Sequence, residues 1–158
     1  MASHYLSYWK PDMADLNISA NKPLDHSAGE QLGKCKRGDV LWIVTVRSGE
    51  LFLIGRITVG VITNQHQAEK LVGTHDLWGA THHVIALPGT AEMMTNVSLR
   101  SVVEELRFQS VRDRLTLKKG LVSPMQLQRV RKLTPSSAAR IQTAWSAPRA
   151  TGNTRKTR

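Results

Sequence analysis

The sequence is poor in several things at once. Cys35 is its single cysteine, which excludes an intramolecular disulfide and a cysteine-rich zinc site and fits a reducing, intracellular compartment. No apolar run approaches the ~18–20 residues that a membrane helix needs. Met1 to Pro11 lacks a basic region followed by an apolar stretch, so no secretory signal is read there. Neither common glycine-rich phosphate loop occurs, nor H-E-x-x-H, nor G-x-S-x-G. Asp25-His26-Ser27 holds triad residue types, but adjacent side chains point in different directions and do not assemble a triad. No cofactor is expected.

Acid is missing from one whole region. The 158 residues carry 22 Lys+Arg against 12 Asp+Glu, a net charge of +10. Residues 1–113 hold 11 basic and 12 acidic residues, net −1, whereas residues 114–158 hold 11 basic residues and no acid. Asp113 is the last carboxylate. The basic character is therefore C-terminal and points to a polyanionic partner, nucleic acid before any membrane. Arg149, Arg155, Lys156 and Arg158 fall in a stretch without periodicity, read as a disordered basic tail over 147–158. That leaves 1–146 as one expected domain, a length that can bury a core unaided.

What is present is strand-rich. Val40–Val46 is β-branched and apolar, entered through the turn Lys36-Arg37-Gly38-Asp39. Leu51–Ile62 is a second, longer run whose Gly55 and Gly60 suggest bulges. His83–Leu87, stopped by Pro88-Gly89, is a third, and Leu115 and Leu117 mark a short one. Leu99, Val102, Val103 and Leu106 share one helical face, predicting a helix over about 98–108. A second helix is expected over 136–145, with Thr134 as N-cap and Pro135 at its first position. Residues 24–34 are read as a third, and Met125–Leu133 fits either a strand or a helix. The fold class is α+β, a small β-barrel of five or six strands, closed or nearly closed, with two or three flanking helices. Parallel βαβ alternation is not expected.

Aromatic residues are few, and their places are informative. Of eight, Trp42, Phe52 and Trp145 lie in apolar strand runs or on a helix face and read as core. Trp78 lies in a polar loop with glycines, either a lid over the core or a platform on which a ligand stacks. Trp9 ends the first apolar segment and is either core or a pocket wall. His66, His75, His82 and His83 cluster in sequence but match no helical ligand spacing, so no metal is expected. Arg114, Lys118, Lys119, Arg129, Arg131 and Lys132 are the candidate phosphate contacts, and together with Arg140 they are expected on the same side of the barrel as Trp78.

The order of these features resembles the PUA-like superfamily of small β-barrels, in particular its EVE and YTH branches. The residues that carry the likeness are Tyr5-Leu-Ser-Tyr-Trp9, the Gly38-Asp39 turn before Val40–Val46, the Leu51–Ile62 strand, and the Trp78-Gly79 loop before His83–Leu87. Such domains are non-catalytic readers that hold one modified base in an aromatic pocket. The resemblance implies Trp78 as a pocket wall, with Trp9, Ser7 and Lys10 lining the pocket or its rim. Asp25, with Asn21 and His26, would read the base edge. YTH domains place a second cage tryptophan after the first helix, and residues 11–41 contain no aromatic, so 5-methylcytosine or a relative in DNA is expected rather than N6-methyladenine. DNA is favoured over RNA as partner, and any cleavage would come from a separate nuclease or other effector. An RNA-binding module is the nearest alternative. A small hydrolase using Lys10 or Tyr8 in the same pocket is the more distant one.

Overall fold

A computed structural model describes residues 1–74 and 77–148. Its strands are β1 (His4–Tyr8), β2 (Pro23–Leu24), β3 (His26–Ala28), β4 (Val40–Arg47), β5 (Glu50–Thr63), β6 (His83–Ala86), β7 (Glu92–Met93), β8 (Val97–Ser98), β9 (Leu117–Lys118), β10 (Leu121–Val122) and β11 (Arg131–Lys132). Three α-helices accompany them: α1 (Pro11–Ser19), α2 (Gln65–Val72) and α3 (Pro135–Ser146).

The main sheet has seven strands in the order β11-β1-β4-β5-β6-β3, with β8 added to the start of β5. β4 and β5 are its axis, and both are buried on both faces. Trp42, Val44 and Val46 face one core with Leu51, Leu53, Leu106 and Ile141, which α3 closes through Trp145. Leu41 and Ile43 face a second core with Tyr5, Ile54, Ile57, Val59 and Val84. Two buried faces explain why these strands read as continuous apolar runs rather than alternating ones. The bulges foreseen from glycine are present: the register shifts beside Gly55 and again at Gly60, between Val59 and Val61. These shifts let one 14-residue strand pair first with β4 and β8 and then with β6.

Several expectations are corrected. The barrel is not closed: β11 and β3 end the sheet, and no ladder joins them among the described residues. One strand pair is parallel, β1 with β4, because the chain crosses over through α1, β2 and β3 before returning. The helix expected over 98–108 is only a 3-10 turn at Val103–Glu105. Its apolar residues are buried as foreseen, but the backbone is taken elsewhere: Leu99 N–H donates to Leu51, and Arg107 N–H to the Ser137 hydroxyl. Residues 24–34 form β2, β3 and a 3-10 turn at Leu32–Lys34 instead of a helix. Gly33 there backs directly onto the His82 ring. Met125–Leu133 resolves into a 3-10 turn at Pro124–Leu127 followed by β11.

The helix with Thr134 as N-cap and Pro135 at its first position is present as α3, and the Thr134 hydroxyl accepts from Ser137 N–H. Most of the tail assigned to 147–158 lies outside the described residues, which stop at 148. No helix among the described residues is long and apolar enough to cross a membrane.

Candidate functional site

Residues of β1 alternate between the two cores, so Tyr5, Ser7 and Trp9 share one face. Ser7 is buried on it. The Trp9 ring packs on the second core, and its indole Nε1 donates to the Ser27 hydroxyl at 3.3 Å. The Trp9–Ser27 bond thus links the end of β1 to β3. Tyr8 packs on the opposite core, and burial pushes its phenol pKa up. Lys10 is exposed at the N-cap of α1. Ser7 and Trp9 therefore lie on one face, Tyr8 lies on the other, and Lys10 is in solvent.

Trp78 is 64% exposed. Its loop is fastened on the side toward β6. Thr81 donates through both its N–H and its hydroxyl to the Glu30 carboxylate. The His82 ring meets the Glu30 carbonyl at 3.0 Å. Ala80 N–H donates to the Gln65 side chain at 3.1 Å. The two Thr81 bonds hold the Glu30 carboxyl below the usual carboxylate range. A wide aromatic face in solvent, on a loop fixed at three successive residues, is what a stacking platform requires.

Asp25 is exposed, and its carbonyl accepts from Ala86 N–H at 2.8 Å. Asn21 occupies a left-handed turn (φ 56°) after α1. His26 is not free to read a base, because it is stacked on His83 with ring centres 5.0 Å apart. Of the clustered histidines, His82 and His83 are engaged with protein partners, His66 is exposed, and His75 lies outside the described residues. No group able to hold a metal ion occurs among the described residues.

The six phosphate candidates divide. Arg129 and Lys132 lie at one end of the sheet, where Lys34 joins them. The Lys34 ammonium donates to the Val130 carbonyl at 2.8 Å and stands 5.7 Å from the centre of the Tyr5 ring. Gln31 accepts from Val130 N–H at 2.7 Å. Lys132 is directly opposite Tyr5 across the β1–β11 pair, so both side chains share a face. Burial lowers the Lys34 pKa, and the Arg129 charge lowers it further. Among the described residues, none of these three cations makes an ion pair. Lys34 follows Gly33, whose backbone lies against the His82 ring at the end of the Trp78 loop. Sequence reasoning missed Lys34 because it precedes the acid-free segment that drew attention.

Arg131 faces the other way and is occupied structurally, donating to the carbonyls of Gln126 and Arg112. Lys118 and Lys119 belong to the β9–β10 hairpin, whose Val122 N–H donates to Gly49. That places them at the start of β5, whereas the Trp78 loop enters β6 opposite Thr63, at its end. Arg114 pairs with Asp113 at 3.4 Å. The expectation that all six gather on the Trp78 side of the sheet is therefore corrected.

No family model matches this chain, and no curated protein matches it. Among solved structures it is similar to a mutant form of the ZmASCH protein from Zymomonas mobilis, at 14% identity over 74% of this chain and 89% of that one, with a TM-score of 0.40.

Proposed function

We propose that this chain is a non-catalytic nucleic-acid-binding module that stacks a base on Trp78 and holds the adjoining phosphates with Lys34, Arg129 and Lys132. The observation that carries the reading is Trp78 itself: a large aromatic face, 64% exposed, on a loop fastened at Ala80, Thr81 and His82. With most of its surface in solvent, the ring is not a core residue. Base stacking on such a ring contributes about 1–3 kcal/mol, and Lys34, Arg129 and Lys132, which make no ion pair among the described residues, supply the sequence-independent phosphate grip.

The finer form of the proposal is a reader of 5-methylcytosine or a relative in DNA, with Ser7, Trp9 and Ser27 offering hydrogen-bonding groups behind the stacked base. A single methyl group contributes only about 0.8 kcal/mol when buried, roughly fourfold in affinity. Stacking alone therefore discriminates weakly, and strong preference requires the methyl to be enclosed. Titration with matched methylated and unmethylated DNA, and with RNA of the same sequence, tests both levels. Binding by all three within fourfold supports the general module. A preference above tenfold for the methylated strand supports the reader. Absence of binding at moderate salt overturns both.

A further inference from the structure

A chain of side chains runs behind the Trp78 loop with every donor and acceptor assigned by its neighbours. Gln65, the first residue of α2, is capped in place by Asn64, whose side chain accepts from Gln67 N–H. The Gln65 amide nitrogen donates to the Glu69 carboxylate at 3.1 Å. That fixes the amide orientation, so Oε1 is the acceptor for two donors. One is Ala80 N–H of the loop, at 3.1 Å. The other is His83 Nε2, at 2.6 Å. His83 is wholly buried, and with its proton on Nε2 its Nδ1 is an acceptor, met by His26 Nε2 at 2.7 Å. Hydrogen bonding thus runs in one direction, His26 to His83 to Gln65, and ends on the oxygen that holds Ala80.

We propose that Gln65, held by the His83–His26 pair, is the positioning residue that sets the Trp78 loop for stacking. The inference rests on reading Trp78 as the platform. Three elements converge on the Gln65 oxygen: α2 supplies it, β6 orients it through His83, and β3 locks His83 through His26. The loop contributes only an amide proton. The register places Ala28 opposite His83 and His26 opposite Ile85, so the two imidazoles meet diagonally across the β3–β6 pair. A buried ring and a half-buried one in a single tautomeric arrangement are costly to place. What they secure is the acceptor for Ala80, two residues beyond Trp78.

The test compares wild type, Gln65→Ala, Gln65→Glu combined with Glu69→Gln, and Trp78→Ala by NMR and by titration with a short fluorescent single-stranded DNA. In wild type, imidazole nitrogen shifts place the protons on Nε2 of both His26 and His83, and the Ala80 amide is protected from exchange. Gln65→Ala abolishes that protection and weakens DNA binding about tenfold. Gln65→Glu combined with Glu69→Gln, which exchanges the amide and the carboxylate across their hydrogen bond, keeps an acceptor for both donors and restores protection and binding. Adding Gln65→Ala to Trp78→Ala costs nothing more. A His83 proton on Nδ1, an unchanged Ala80 amide in Gln65→Ala, or fully additive binding losses overturns the proposal. If wild type binds no DNA, the functional reading fails, and the tautomers and amide protection alone decide whether Gln65 positions the loop. The wild-type tautomers also decide the matter should Gln65→Ala fail to fold.

Discussion

The Arg131 guanidinium lies over the Phe108 ring, 4.1 Å from its centre, and donates to the carbonyls of Gln126 and Arg112 and to the Ser110 hydroxyl. It ties the 110–112 turn to the end of the Pro124–Leu127 turn. This side chain is a clasp of the fold, and its charge faces protein rather than a ligand.

Arg131→Ala should accordingly act on stability. Loss of a cation–π contact and of charge-assisted bonds to carbonyls amounts to about 2 kcal/mol. For a chain of this length that corresponds to a Tm roughly 4–8 °C lower. Thermal unfolding checks it, with nucleic-acid affinity of the folded fraction unchanged.

The cations near Lys34 should behave in the opposite way. Arg129→Gln and Lys132→Gln should each leave Tm in place and reduce the slope of log K against log salt by about 0.7–0.9. Lys118→Gln and Lys119→Gln, at the far end of β5, should leave the slope for a short single strand as it was. Titrations at four salt concentrations separate the two sets.

Stability should depend on pH through His26. Burial, with the neighbouring His83, lowers its pKa from 6.5 to about 4. The folded form therefore binds its proton less readily than the unfolded chain. The contribution is complete above pH 6.5, falls as pH drops toward 4, and is spent below that. Linkage converts the shift into about 3 kcal/mol, and solvent at the half-open ring reduces it to about 2. Glu69 from α2 and His83 from β6 are the titratable groups of the same network. Urea unfolding at pH 7.5 and pH 4.5 measures the difference, and His26→Asn should remove most of it.

Gly60→Ala tests the bulge that turns β5 from β4 toward β6. An added Cβ would stand 2.8 Å from the backbone nitrogen and Cα of Leu87. Backbone at that distance cannot yield cheaply, so a loss of about 1–3 kcal/mol is expected in chemical denaturation.

Much of the sheet was legible because its signals are local. β4 and β5 are unbroken β-branched runs, Gly55 and Gly60 mark real bulges, and Thr134-Pro135 opens α3 as such a pair should. The misread segments are those where tertiary partners claim the backbone. Leu99, Val103 and Leu106 have a helical spacing and are buried, yet the segment is pinned at its two ends, by the Leu99 amide to β5 and by the Arg107 amide to α3, and only a short turn fits between. α1 and α2 were overlooked because each buries only one alanine, Ala14 or Ala68, and so shows little apolar periodicity. Their end signals were present all the same: Pro11 at the start of α1, and Asn64 and Gly73 (φ 87°) bracketing α2.

At the site, Trp78 stood out in sequence as an aromatic in a polar loop, and it is exposed. Trp9 and Ser7 share a face because strand alternation is legible over five residues. The grouping of cations was not, since sequence neighbours such as Arg131 and Lys132 leave opposite faces of β11. Lys34 reaches Arg129 only through the Val130 carbonyl, a contact 96 positions apart in the chain.

Whether Trp78 is a stacking platform is decided by titrating a short single-stranded oligonucleotide, at moderate salt, into wild type and Trp78→Ala. Loss of the stacked base should weaken binding roughly 10- to 100-fold, with Tm unchanged, because the ring faces solvent. Equal affinity of the two proteins, or no binding by either, would refute the platform.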